Sequence, residues 1–369
     1  MPEAVITFMD RIRSRSTTSV RRREAHLGDR IFHGLLKFLA WAIIAMVVGI
    51  ISMIVHLSLP VIRQFGLSFF TSTDWNQPMD SFGSLPFIYG TLVTSGIAIL
   101  IAAPVSIGVA LFLVELAPKW LSKTIGFLVE MLAAIPSVVY GLWGIFVLSP
   151  FMQSTLQPFL TTYFGPGTPF AKTLGPFLTI VAYPFVLLAN GIGWSTMTLQ
   201  ELATYMSDVA GKLLSGPHYG VGMLTAGIVL AIMITPTISA ISREVFLTVN
   251  LSIKEAALAL GATRWEMMKM AVLKTSRSGL LGAVILGLGR ALGETMAVTM
   301  VIGNRNDITA ALMAPGQTMS SVIANEYGEA TGLHMAALAG VGLSLFAVSL
   351  VINTAARLII WRVEKDLRR

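Results

Sequence analysis

The sequence predicts an all-α polytopic membrane protein with six transmembrane helices, and three observations support this. Hydrophobic residues make up 54% of the 369-residue chain and charged residues only 12%, a composition that calls for lipid as the solvent. Apolar runs of about 20 residues, long enough to cross a hydrocarbon core of roughly 30 Å, recur along the chain. Lys and Arg gather beside these runs, as the positive-inside rule expects.

Six apolar runs are convincing spans. They cover residues 35–59, 87–114, 125–148, 221–241, 280–302 and 335–360. With a cytoplasmic N-terminus, this arrangement places 21 of the 26 Lys and Arg residues inside and four outside, and it leaves Arg290 within a span. The distribution therefore predicts that both termini are cytoplasmic.

Two segments outside these spans differ in composition from ordinary loops: a basic N-terminal segment and a seventh apolar run. Residues 1–30 are rich in Arg, Ser and Thr and are predicted to form a disordered, basic cytoplasmic arm, so the transmembrane domain covers 31–369. A seventh apolar run, 174–194, is interrupted by Pro176 and Pro184. If it crossed the membrane, the basic loop that follows the fourth span would lie outside, against the charge rule.

We therefore predict that 174–194 is an interfacial or re-entrant segment within an external insertion, 150–217. Helix-breaking residues at membrane depth are tolerated where they are buried in protein, which favours packing on the helix bundle. A mobile, lipid-facing decoration is an equally open interpretation.

The cytoplasmic loop 250–276 carries two helix-start patterns. Ser252 with Glu255, and Thr263 with Glu266, both fit the capping box S-x-x-E. Gly261 stands between them, where a left-handed helix end favours glycine. The loop is thus predicted to form a short helix, a tight turn and a second helix that leads toward the membrane.

Both predicted loop helices have a small apolar face. The first face comprises Ala256, Ala257 and Leu260, and the second comprises Trp265, Met268 and Val272. Apolar surface on a water-facing loop indicates a docking partner. A helical hairpin that simply covers the underside of the bundle explains the pattern equally well.

The fifth span contains a charged pair, Arg290 and Glu294, at helical spacing. Charge at bilayer depth is unfavourable by about 2.5–3.5 kcal/mol per residue, so such residues usually face a protein interior and function there. Arg290 lies roughly 16 Å into the span, near the bilayer midplane. Its guanidinium suits bidentate recognition of oxyanions, and Glu294 could orient it. A purely structural ion pair is the alternative.

Small residues recur every four positions along the same span. Gly279, Ala283, Gly287 and Ala291 form a stripe on which another helix backbone can approach closely. We expect this stripe to pack at a subunit interface, with the charged pair beside it.

Several function classes receive no support from the sequence. There is no cysteine, the five histidines lack metal-ligand spacing, and no metal site is predicted. No P-loop pattern is present, so energy must come from elsewhere. A secondary transporter in which Glu294 or Glu130 carries a proton remains an alternative. The sequence shows no nucleophile–base pair and no paired carboxylates of the kind that a membrane-bound enzyme would need. Nucleic-acid binding is not expected.

The cytoplasmic loop resembles the EAA loop of ABC importer permeases, in which this element docks on the ATP-binding subunit. The matching residues, to which the resemblance assigns ATPase coupling together with Trp265, are Glu255, Ala256, Ala257 and Gly261. Lys274 stands where the family pattern has a proline. The resemblance implies a type I importer permease in the bacterial inner membrane, which itself binds no cofactor.

Residues 287–304 are similar to the fifth span of the phosphate-importer branch of this family. That resemblance implies that Arg290, Glu294 and Thr295 act in substrate translocation. It further implies three partners: a second permease subunit, a dimer of ATP-binding subunits that holds ATP and Mg, and an extracytoplasmic phosphate-binding protein. The two permease subunits would form a pair embedded in membrane lipid. Permeases for sulfate or molybdate share the Arg-Ala-x-Gly-Glu core, so another oxyanion is the alternative substrate.

Overall fold

The structure, a computed structural model, describes residues 27–191 and 198–367. The predicted basic arm falls almost wholly outside the described residues, and 27–30 already belong to the first helix. The chain divides into two compact units, Met1–Met53 and Ile54–Arg369. In the first unit the described residues form the start of helix α1, Leu27–Phe65, whose side chains from Ile31 to Ile50 are exposed, as suits a lipid-facing span.

The second unit contains the end of α1 and all the elements that follow. After α1 the helices are α2 Ser68–Thr71, α3 Leu85–Leu111, α4 Lys119–Ala133, α5 Ser137–Trp143, α6 Ser149–Phe151, α7 Gln157–Phe164, α8 Pro169–Gly191, α9 Leu199–Leu213, α10 Met223–Leu247, α11 Leu251–Ala259, α12 Arg264–Met267, α13 Arg277–Leu292, α14 Met296–Val301, α15 Met319–Glu326 and α16 Gly332–Leu367. Two short antiparallel strands, β1 Trp75–Asn76 and β2 Ser81–Phe82, form a hairpin between α2 and α3. Turns of π-helix continue several helices, at Phe112–Leu116, Gly144–Leu148, Met152–Leu156 and Met268–Leu273.

Within the described residues, five helices are long and apolar enough to cross a membrane. They are Ile31–Phe65, Leu85–Leu116, Ser137–Phe164, Met223–Leu247 and Gly332–Arg362. A sixth span results if Arg264–Leu273 and Arg277–Leu292, which meet at an angle of 72°, are counted together. This is the six-span, all-α architecture that the sequence predicts.

The third span differs from its predicted bounds of 125–148. Helix α4 ends at Ala133, and a new helix begins at Ser137. Pro136 explains the break, because proline lacks an N–H donor and disfavours helical backbone in the residue before it. The new helix continues to Phe164, so its last turns occupy the beginning of the 150–217 segment.

The proline-containing run in that segment is helical, although Pro176 and Pro184 suggested an interruption. Helix α8 packs against α9, and a Cβ added at Gly175 would lie 2.8 Å from the Ser207 hydroxyl oxygen. Glycine at this position therefore permits the two helices to approach closely. The link at 192–197 lies outside the described residues, and the interfacial placement of the hairpin stays a prediction.

Three buried apolar clusters hold the second unit together. The central cluster surrounds α10 and includes Met233, Ile234 and Ile238. The outer cluster joins α2, α3, α15 and α16, and the inner cluster packs the end of α10 against the cytoplasmic loop. Helix α10 thus contributes to the bundle centre and to its cytoplasmic end, where the candidate sites lie.

The small-residue stripe on α13 packs against α10 of the same chain. A Cβ added at Gly279 would lie 2.6 Å from Val245, one added at Gly287 would lie 2.6 Å from Ile238, and Ala283 and Ala291 are buried. The predicted close helix approach is present, but its partner is the fourth span. The stripe thus packs within the chain, and its place at a subunit interface stays a prediction.

This packing makes Gly287→Ala destabilising. The new methyl group would meet both Cγ1 and Cδ1 of Ile238, a fully buried side chain, and we expect a loss of about 1–3 kcal/mol from overpacking. The matched control is Gly282→Ala on the same helix, where no atom lies within 4 Å and the gain in helix propensity should slightly stabilise the protein. Thermal unfolding in detergent compares the two, and equal midpoints would contradict the packing.

Candidate functional site

The predicted fifth span is interrupted at residues 293–295, which we call the hinge. Helix α13 ends at Leu292 and α14 begins at Met296. At the centre of the hinge, the amide of Glu294 makes only a long hydrogen bond of 3.4 Å to the Ala291 carbonyl. The break separates Arg290 from Glu294, so the two charges do not share one regular helical turn.

Arg290 lies on the last turn of α13 and is exposed on the surface of the chain. Its Nη1 donates to the Thr237 hydroxyl on α10 at 3.3 Å. Thr237 directly follows Pro236, the proline inside α10. Side chains from α10 and α13 therefore meet at this guanidinium.

Glu294 makes contacts other than the expected pairing with Arg290, while its role in translocation stays a prediction. Its Oε1 accepts a hydrogen bond from the Ala297 amide at 3.2 Å, and its backbone carbonyl accepts one from the Ser320 hydroxyl at 2.7 Å. Among the ion pairs of the described residues, none joins Arg290 to Glu294. The guanidinium is oriented by Thr237, while the carboxylate caps the start of α14.

Thr295 completes the hinge. Its hydroxyl donates to the Gly293 carbonyl at 3.3 Å, and its own carbonyl accepts from the Thr299 amide and hydroxyl. The three residues predicted for translocation are thus brought together at one break in the helix. Among the described residues Arg290 has no charged partner, and its side chain is exposed.

The surroundings of the hinge suit anion recognition. A guanidinium has five N–H donors in a fixed fork, and Thr237 occupies one of them. Because a charged side chain at this depth is unfavourable in lipid, its exposed face indicates a path or interface lined by protein. A fixed positive charge beside a helix break can therefore bind an anion.

The cytoplasmic loop has the predicted helix–turn–helix form. Thr263 and Glu266 form the predicted capping box, and Gly261 adopts the left-handed conformation with φ of 86°. The first helix is capped differently. Asn250 accepts from the Ser252 amide at 3.1 Å and from its hydroxyl at 2.6 Å, so Ser252 is inside the helix and does not cap it.

The loop exposes part of the predicted apolar surface. Leu260 is 89% exposed and Trp265 is 62% exposed, and Glu255 and Ala256 are also on the surface. The remaining predicted apolar residues turn toward the bundle: Ala257 is half-buried, and Met268 and Val272 are buried in the inner cluster. One side of the loop therefore attaches to the membrane domain, and the other offers an apolar tip.

Ionic contacts attach this loop to the spans. Lys254 Nζ lies 2.5 Å from Glu115 Oε1 at the end of the second span, and both side chains are largely buried. Beyond the loop the chain bends by 72° into α13, although Lys274 replaces the proline of the family pattern. The loop therefore contacts the second span directly and continues into the fifth span through the bend.

The capping box also has a pH signature. The hydrogen bonds from the Thr263 backbone and hydroxyl lower the pKa of Glu266, so these bonds persist above the usual carboxyl pKa and are lost as pH falls through the lowered value. We expect Thr263→Val to raise the Glu266 pKa, as measured by carboxyl ¹³C NMR titration. An unchanged titration would contradict the box, and exposed Glu255 provides the internal reference.

Sequence reasoning missed the long-range partners of the site. Thr237 lies 53 residues before Arg290, and Ser320 lies 26 residues after Glu294. A hydroxyl next to Pro236 was the one local signal for Thr237. Within the described residues, no group of three or more His, Asp or Glu side chains could hold a metal ion.

Apolar spans, a charged hinge and an exposed cytoplasmic tip together define a polytopic transport permease. The chain belongs to the family of binding-protein-dependent transport system inner membrane components, whose model matches residues 102–369. It is therefore a permease of the inner membrane that works with a binding protein.

Two bacterial relatives agree with this assignment. The chain is 39% identical to the phosphate transport system permease protein PstC of Pasteurella multocida, over 96% of this chain and 98% of that protein. It is 41% identical to the protein of the same name from Mesorhizobium japonicum, over 98% of each. A solved bacterial ABC transporter involved in import of the acidic polysaccharide alginate is 17% identical, with a TM-score of 0.37, and the match covers 89% of this chain and 99% of that one.

Proposed function

We propose that this chain is the permease subunit of an ATP-driven importer of inorganic phosphate and forms half of its translocation path. The observation that carries the proposal is the Arg290 guanidinium, exposed on the last turn of α13 and held by Thr237 beside a helix break. The relatives named phosphate transport system permeases support phosphate as the anion.

The chemistry of the hinge favours phosphate over sulfate. An arginine fork binds two oxygens of a tetrahedral oxyanion. Hydrogen phosphate also carries a proton, which sulfate lacks at neutral pH, and a carboxylate accepts such a donor. Ala297 occupies one acceptor position of Glu294, and a carboxylate has about four such positions. Glu294 thus supplies a hydrogen-bond acceptor that favours binding of the protonated anion. Thr295 fixes the hinge backbone.

ATP hydrolysis takes place on a separate subunit in this proposal. Leu260 and Trp265 form an apolar tip that fits a groove of an ATP-binding subunit, and Glu255, Ala256, Ala257 and Gly261 shape the docking helix and its turn. ATP and Mg are bound by that partner, and this chain binds no cofactor. The Lys254–Glu115 contact and the 72° bend then carry the movement to the spans.

The proposed assembly has three kinds of partner. A second, PstA-like permease subunit completes the path opposite Arg290, a PstB-like dimer supplies the ATPase, and a PstS-like protein delivers phosphate from outside. Membrane lipid surrounds the pair. The segment 31–369, which includes the insertion 150–217, forms the membrane domain of this assembly.

Reconstitution tests the proposal. The four components in proteoliposomes should take up ³²P-phosphate only with ATP on the ATPase side, and a tenfold excess of sulfate or molybdate should leave uptake nearly unchanged. Uptake driven by a proton gradient without the ATPase would establish a secondary transporter instead. Competition by sulfate or molybdate at equal concentration would identify another oxyanion as the substrate.

A further inference from the structure

Helix α15 is an eight-residue helix held rigidly in the outer half of the molecule. Charge distribution places it on the external side. Thr318 and Ser321 form a reciprocal cap at its start. Met319, Ser321 and Val322 have no exposed surface, and Met319 and Val322 pack in the outer apolar cluster with α2, α3 and α16. A helix fixed in this way moves as one body.

The first turn of α15 makes hydrogen bonds to the hinge and to α3. Ser320 Oγ donates to the Glu294 carbonyl at 2.7 Å, and the Met319 amide donates to the Thr91 hydroxyl of α3 at 2.9 Å. A carbonyl at a helix break lacks its usual helical partner, so a hydroxyl from elsewhere decides where that peptide points. Ser320 therefore sets the position of the residue that separates Arg290 from α14.

The last residue of α15, Glu326, contacts three side chains at the outer surface. Glu326 Oε2 accepts from Trp75 Nε1 at 3.0 Å and from Gln77 Nε2 at 3.0 Å, and it lies 2.9 Å from His334 Nε2. Trp75 and Gln77 belong to the external hairpin 75–82, and His334 begins α16. The Phe82 ring stacks on His334, with centroids 5.6 Å apart and planes 2° from parallel. Three external segments thus meet at one carboxylate oxygen.

We propose that α15 is a strut that transmits the position of the external hairpin 75–82 to the hinge, with Ser320 and Glu326 as positioning residues. The strut spans roughly 9 Å, from Glu326 at the outer surface to Ser320 at the hinge. A shift of the hairpin, as when a binding protein docks outside, moves Glu326, and Ser320 then moves the Glu294 peptide next to Arg290. This deepens the proposed function and rests on it for the identity of the transported anion.

Hydrogen exchange measured by mass spectrometry on the full chain in nanodiscs tests the strut without any substrate. Ser320→Ala should make exchange in 291–299 about tenfold faster, since it removes one buried hydrogen bond. Glu326→Gln should raise exchange both in 75–82 and in 291–299. The matched control is Glu329→Gln, the same change at an exposed position, which should alter neither segment.

The outcomes separate a strut from a general scaffold. Unchanged exchange at 291–299 in Glu326→Gln would overturn the proposal, and so would an equal rise across α10, which would indicate global loosening. In the complete importer, Ser320→Ala should lower maximal phosphate uptake several-fold at unchanged assembly, and Ser320→Thr should restore it. If the wild-type importer transports no phosphate, the proposed function fails while the exchange data still decide on the strut.

Discussion

Arg290→Gln is expected to abolish phosphate uptake by the assembled importer. Glutamine keeps much of the side-chain length but removes the charge and the fork, so two charge-assisted hydrogen bonds to the anion are lost. At about 1.5–3 kcal/mol for each bond, uptake should fall at least 100-fold. Assembly should persist, because the Arg290 side chain is exposed and contacts Thr237 at a bond length of 3.3 Å.

Two further variants separate charge from geometry. Arg290→Lys keeps the positive charge but loses bidentate recognition, and we expect intermediate uptake with a raised half-saturation concentration. Arg362→Gln, the same change at an exposed position near the C-terminus, should be silent. Uptake of ³²P-phosphate at several concentrations measures all three. Wild-type uptake in Arg290→Gln at normal assembly would remove Arg290 from the translocation path.

Local patterns were the part of the molecule that the sequence could predict well. The Thr263–Glu266 box and the left-handed Gly261 depend on residues within one helical turn, and both are present. The cap of the first loop helix shows the limit. Asn250 and Ser252 are both good capping residues two positions apart, and only the folded backbone decides that Asn250 takes the role.

Contacts between distant segments could not be predicted in the same way. Arg290 was recognisable because a charge in an apolar run is conspicuous. Its partner Thr237 lies in another span, and nothing in the local pattern of either helix fixes their relative rotation. The small-residue stripe shows the same limit, because Gly279 and Gly287 indicate a close helix but do not identify it as the chain's own fourth span.

A helix break inside an apolar run is a further feature that the sequence did not predict. Apart from Arg290 and Glu294, apolar character continues through 280–302, yet the helix stops at Leu292 and resumes at Met296. The Ser320 hydroxyl and the Glu294 carboxylate satisfy the backbone groups that this break leaves open. Because those partners come partly from the external segment, hydropathy alone predicts one unbroken span where the molecule has a hinge.

Leu260→Asp is expected to uncouple the permease from its ATPase. Leu260 is 89% exposed and stands just before the turn at Gly261, so the folded chain gains little from it. Burial of a leucine in a partner groove is worth about 1.5–3 kcal/mol, and an unpaired buried carboxylate adds a further penalty. We expect the affinity for the ATP-binding subunit to fall about 100-fold or more, and ATP-driven uptake to fall with it.

Binding of the ATP-binding subunit to nanodisc-embedded permease, measured by interferometry, gives this affinity directly, and thermal unfolding checks that the permease itself is unchanged. Leu260→Met should retain binding because it preserves the apolar surface. Thr275→Asp places the same carboxylate at an exposed position beyond the second loop helix, next to the bend, and should bind normally. Equal affinity for wild type and Leu260→Asp would show that the exposed tip is a cover for the bundle, and the coupling surface would have to lie elsewhere on the cytoplasmic side.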